Sequence, residues 1–148
     1  MRARVDAIFS EHADDPVAAF TRLAERFVQV AVEEPWMGPV LISELLREDD
    51  LFKQHLRART DPQRLSALLS AIRRWQDEGR INPDLDPALL MTTISALTFL
   101  PMAGLRKWAD DPLRRHVDAQ VIARHAVALL EHGLAPPAPR VPVAASKA

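Results

Sequence analysis

The residues best able to ligate a metal or carry a proton are five histidines: His12, His55, His116, His125 and His132. No two stand four apart with a carboxylate between them, the spacing a zinc-hydrolase helix needs. The chain has no cysteine, which removes thiolate sites and disulfides. Glu48-Asp49-Asp50 is the densest acidic run, and such runs ordinarily mark a solvated helix end. Neither a Gly-rich phosphate loop nor a nucleophile elbow is present. No catalytic residue, metal ion or cofactor is therefore expected. A second group is softer: Trp36, Met37, Phe52, Trp75, Met91, Phe99 and Met102, with Thr92, Thr93, Ser95 and Thr98 among them in sequence. A few hydroxyls set in an apolar wall are what a small-molecule pocket uses. The same side chains could instead fill a core, each hydroxyl bonded back to its own helix. Taken singly, each residue reads better as core.

The elements that must position this group are helices. Asp15-Pro16, Asp61-Pro62, Asp86-Pro87 and Asp111-Pro112 each precede a run of helical periodicity. In each, the Asp oxygen can accept from free first-turn amides, and the Pro sits where its missing N–H costs nothing. Gly79 and Gly133 suit the left-handed position just past a helix end. The pattern predicts helices over Arg2–His12, Pro16–Glu33, Trp36–Arg47, Pro62–Glu78, Pro87–Ala103 and Pro112–His132. A shorter piece is expected over Leu51–Arg59, with Phe52, His55 and Leu56 on one face. Phe20, Leu23, Ala24, Phe27, Val30 and Ala31 give the second helix a continuous apolar stripe. Leu65, Leu68, Leu69, Ile72 and Trp75 do the same before Gly79. Period-two alternation is rare, so strands are not expected.

One stretch organises the rest. From Ala88 to Gly104 there is no charged residue. A helix apolar on every side must be covered on every side. Ended by Pro101 and Gly104, it is too short for a confident membrane span, which needs about 20 apolar residues. One chain of 148 residues does not obviously supply the whole cover, so a second copy is expected to provide part of it.

Composition agrees with a packed domain. Hydrophobic residues make up 48 % of the chain, and 19 basic residues against 20 acidic leave a net charge of −1. That balance lacks the basic face of a free-standing nucleic-acid module. The N-terminus lacks the apolar core of a signal peptide, so a cytoplasmic, non-membrane protein is expected. Residues 1–134 read as one domain and 135–148 as a Pro/Ala-rich disordered tail.

The run from Ala71 to Pro87, centred on Trp75-Gln76-Asp77-Glu78-Gly79-Arg80-Ile81-Asn82-Pro83-Asp84-Leu85-Asp86-Pro87, resembles the middle of the C-terminal domain of TetR-family transcriptional regulators. There a helix ends in Gly, a Pro-Asp-Leu-Asp-Pro type connection follows, and a long apolar helix begins. Glu34-Pro35-Trp36 through Leu41-Ile42-Ser43-Glu44 is similar to an earlier helix of that family, and Val127 to Leu134 to its closing helix. The resemblance implies an all-α, single-domain bundle of about six helices, the last two pairing with a twin chain as a four-helix bundle. It places Leu89, Leu97, Leu100, Ala119, Ile122, Ala123, Ala126 and Leu130 at a homodimer interface. It places Trp36, Leu41, Phe52, Trp75, Met91, Thr92, Ser95 and Phe99 around a small hydrophobic or aromatic effector. DNA would be reached only through a helix-turn-helix half of about fifty residues, which this chain does not contain. The uncapped first helix suggests a chain cut from something longer. A helical interaction module with no ligand is the main alternative, and a helical enzyme a third.

Overall fold

The computed structural model describes residues 2–46 and 61–138. The expected Leu51–Arg59 piece, with Phe52 and His55, lies outside the described residues, as does most of the expected tail. Among the described residues six helices and no strand form an all-α bundle: α1 Arg2–Glu11, α2 Pro16–Glu33, α3 Met37–Leu46, α4 Pro62–Asp77, α5 Pro87–Trp108 and α6 Ala119–Leu134.

Capping chemistry sets most helix starts. Asp15 accepts a hydrogen bond from the Ala18 amide at 3.0 Å, Asp61 from Gln63 at 2.9 Å and Asp86 from Ala88 at 2.8 Å, with Pro next in each helix. Each bond satisfies a donor that the first turn leaves free. α2 is the spine. It packs on α1, α5 and α6, while α5 also meets α3, α4 and α6. The whole expected α2 stripe is buried, together with Ile72 and Trp75 of α4, Ile81 in the turn after it, Leu90, Ile94 and Phe99 of α5, and Ala126, Leu130 and Leu134 of α6. Farther toward the start of α4 the stripe opens, and Leu65 is exposed.

Three boundaries differ from expectation, each for a physical reason. The last helix starts at Ala119, not Pro112. Asp111 does accept from the Leu113 amide at 2.9 Å and closes one turn through the Arg114 and Arg115 amides. That turn carries no side chain into the core: Leu113 is exposed, as are Arg114, Arg115 and His116. Asp118 then accepts from Val121 at 2.8 Å, and the helix whose Ile122, Ala126, Leu130 and Leu134 are buried begins there. A cap signal without an apolar stripe behind it makes only a turn.

α5 runs through Pro101 to Trp108 instead of ending at Gly104. The Pro removes one helical hydrogen bond, but lateral packing holds both sides of it. At Gly38 of α3 an added Cβ would lie 3.0 Å from the Phe99 carbonyl oxygen and 3.6 Å from the Ala103 Cβ. Trp108 folds back over Gly104, where a Cβ would meet its indole at 2.8 Å. The helix has 22 residues, and its most apolar window has a mean hydropathy of 1.7, long and apolar enough to cross a membrane. The helix is thus longer than expected, but length and composition are all that it shares with a membrane span, and a core helix shares them too. Gly133, expected past the end of the last helix, lies inside it, one residue before Leu134.

The exit from α4 follows the sequence closely. Gly79 takes φ 69°, Arg80 N–H donates to the Trp75 carbonyl at 2.8 Å and Gly79 N–H to that of Gln76 at 3.0 Å. This is the paired-bond ending that a left-handed Gly permits.

Candidate functional site

The side chains expected around an effector fall into three sets. Trp75 and Phe99 are buried. Met91 and Ser95 are half-buried, with Met91 packed against the core. Trp36, Leu41 and Thr92 face outward, and Phe52 lies outside the described residues. The two buried aromatics are not together. Trp75 belongs to a cluster with Phe9 of α1, stacked at 6.5 Å, and Phe20 of α2, edge-on at 6.2 Å. Phe99 lies 5.1 Å from Phe27, two turns farther along α2. Trp36 donates its indole N–H to Glu34 Oε2 at 2.7 Å. Ser95 donates to the Met91 carbonyl at 2.8 Å, and Thr98 to that of Ile94 at 2.8 Å. Both hydroxyls are thus bonded to their own helix, the pattern of Ser and Thr within helices.

Two surface hollows lie elsewhere, between α2 and α6. One, about 360 Å³, is lined by Asp15, Thr21, Arg22, Glu25, Val127 and Glu131 among others. The other, about 710 Å³, is lined mainly by Arg22, Glu25, Val28, Val32, Ala119 and Ala123. Sequence reasoning singled out Ala119 and Ala123 here only as interface residues and nothing of the α2 side, which reads as the charged outer side of an amphipathic helix. The ion pairs there, Arg22–Glu25 at 2.9 Å and Arg26–Glu33 at 3.1 Å, support that reading.

The residues expected at a homodimer interface divide as cleanly. Leu89 is 60 % exposed and Leu100 57 %. Leu97, Ala119 and Ala123 are half-buried. Ile122, Ala126 and Leu130 are buried within the protomer, the last two in its core. On α5 the exposed residues Leu89, Thr92, Thr93, Ala96 and Leu100 lie on the opposite side from Leu90, Ile94 and Thr98 at 100° per residue, while Ala88 and, in the last turn, Arg106 and Lys107 are exposed as well. α6 adds an exposed Ala128 and Leu129, the latter 47 % exposed. Leu129 stands outside the expected interface set, because α6 is apolar beyond a single stripe and only packing decides which side turns inward.

The histidines hold no shared site in the described structure. His12 Nδ1 lies 3.0 Å from the Ile8 carbonyl and His132 Nδ1 2.8 Å from that of Ala128, while His116 and His125 are exposed.

No curated protein matches the chain. Residues 16–129 match the family described as tetracyclin repressor-like, C-terminal domain. The match begins at the first residue of α2 and ends within α6, so it takes in the spine, the left-handed exit from α4 and the whole apolar helix. The chain belongs to the family of TetR-like C-terminal domains, found in transcriptional regulators.

Proposed function

We propose that this chain is the homodimerising, effector-sensing part of a TetR-like transcriptional regulator working in the cytoplasm. The observation that carries the proposal is the uncovered side of α5. Of its 22 residues, four are buried in the protomer: Leu90, Ile94, Thr98 and Phe99. Leu89, Thr92, Thr93, Ala96 and Leu100 form an outward stripe without a charge. Covering a half-exposed Leu gives on the order of 1 kcal/mol, and a two-fold axis counts each residue twice. An isologous contact of α5 and the exposed side of α6 with their twins would shelter that stripe.

A small apolar or aromatic effector would bind near Phe99, Met91 and Ser95 of α5, on the side where α3, with Leu41 and the preceding Trp36, packs against it. By binding one arrangement of the helices better, it would shift the position of α1. In a regulator that carries a helix-turn-helix half, that shift would alter how two DNA-reading heads are spaced. The reading without a ligand is favoured by one fact, that the Ser95 and Thr98 hydroxyls are already bonded to backbone carbonyls.

Light scattering at micromolar concentration tests the dimer. A mass twice the chain's 16.6 kDa is expected, and a monomer refutes it. A thermal-shift screen with apolar aromatic compounds tests the sensor: a dose-dependent rise in melting temperature supports it, and a flat response across the screen favours association alone.

A further inference from the structure

The turn between α4 and α5 touches more of the chain than its length suggests. Asn82 N–H donates to the Leu134 carbonyl at 2.8 Å, and its side-chain Nδ2 donates to the Gly133 carbonyl at 3.1 Å. Its Oδ1 accepts from the Asp84 amide at 3.0 Å, and its own carbonyl accepts from Gln76 Nε2 at 3.1 Å. The same Gln76 amide donates to the Leu85 carbonyl at 2.7 Å, just before the cap of α5. Two residues back, Arg80 Nη2 reaches the Ala13 carbonyl, directly after α1, at 3.4 Å. Between them Ile81 is fully buried, in one core cluster with Trp75 and Leu134. Trp75 in turn stacks on Phe9 of α1.

We propose that the Arg80–Asn82 turn is a mechanical junction tying the position of α1 to the carboxyl end of α6. Gly133 and Leu134 sit in the last turn of α6, where carbonyls have no helical partner. Asn82 takes up two of them, so the end of α6 is held by a turn and not by its own helix. The turn cannot shift without moving Ile81, whose amide donates to the Trp75 carbonyl at 3.2 Å and which shares a core cluster with Trp75, the residue on which Phe9 stacks. A displacement of α6 therefore reaches α1 through the turn, by a route separate from the α2–α6 packing. This goes beyond the proposed effector function, since it holds whether or not a small molecule binds.

Hydrogen exchange on the intact chain tests the junction. Two regions are compared: the amides from Ile8 to Asp15, and those of the last turn of α6 through Ala135. Asn82→Ala removes two side-chain hydrogen bonds and leaves the backbone bonds. It is expected to speed exchange in both regions together, by about fivefold or more, the factor for one lost hydrogen bond. Amides from Leu23 to Phe27 should keep their protection. Faster exchange confined to α6 overturns the proposal. Equal acceleration in α2 overturns it as well, because that would be global loosening. Arg80→Gln, at a side chain 30 % exposed, tests the other arm with little risk to folding: faster exchange from His12 to Asp15 is expected, and no change refutes the tether.

Discussion

α2 and α5 are both long, capped by Asp-Pro and central to the bundle, yet they solve burial in opposite ways. α2 hides ten of its 18 residues and turns Arg22, Gln29 and Glu33 to the outside. α5 is the more apolar outside its core face and hides four of 22. A helix that serves only its own chain has its polarity sorted by side. One that leaves an uncharged stripe with two exposed leucines outside carries apolar surface that its own chain does not cover. The contrast ties the internal stability of the fold to α2 and the proposed association to α5.

The largest expected effect falls on α2. Phe20 is fully buried and meets both Phe9 and Trp75 edge-on. Phe20→Ala should lower unfolding free energy by about 3–5 kcal/mol, read by denaturant titration. A loss under 1 kcal/mol would break the view of α2 as the spine. On α5, the double substitution Leu89→Glu and Leu100→Glu should abolish association, weakening it by about a hundredfold or more, while the monomer's stability stays within about 0.5 kcal/mol. Sedimentation reads the first and denaturation at low concentration the second. If the variant unfolds as the Phe20 variant does, the two helices are not divided in role.

Smaller effects sharpen the boundaries. Asp118→Ala should cost about 1 kcal/mol by freeing the Val121 amide, whereas Asp111→Ala, whose turn buries nothing, should cost clearly less. Gly79→Ala should cost about 1 kcal/mol because its φ of 69° suits only Gly well. A melting temperature unchanged by Gly79→Ala would mean that the α4 exit relaxes without it.

Much of this was legible in the residues. The α2 stripe, the three Asp-Pro caps and the left-handed Gly79 are local facts, each decided by a few neighbouring atoms, and all appear as the pattern implies. What could not be read depends on distant partners. Asp111-Pro112 has the same local chemistry as Asp86-Pro87, and only the missing stripe behind it tells a turn from a helix. Pro101 breaks an isolated helix but not one pinned at Gly38 and under Trp108. Within α6, Ile122, Ala126 and Leu130 share a side with Ala119 and Ala123, and sequence cannot say whether that side meets the protomer's core or a twin. The structure turns it inward and leaves Leu129 outside. The expected effector residues show the same limit: an aromatic such as Trp75 looks alike in sequence whether it lines a cavity or anchors α1.

The central claim concerns a place, not merely a mass. Because the native chain has no cysteine, Ala96→Cys puts a single thiol in the middle of the uncovered α5 stripe, and Gln29→Cys puts one on the charged side of α2. Under mild oxidation the Ala96→Cys chain should convert to a covalent dimer, since a disulfide forms only where two backbones approach within about 7 Å, while the Gln29→Cys chain stays monomeric on a denaturing gel. Equal cross-linking at the two positions, or at Gln29→Cys alone, would contradict the account.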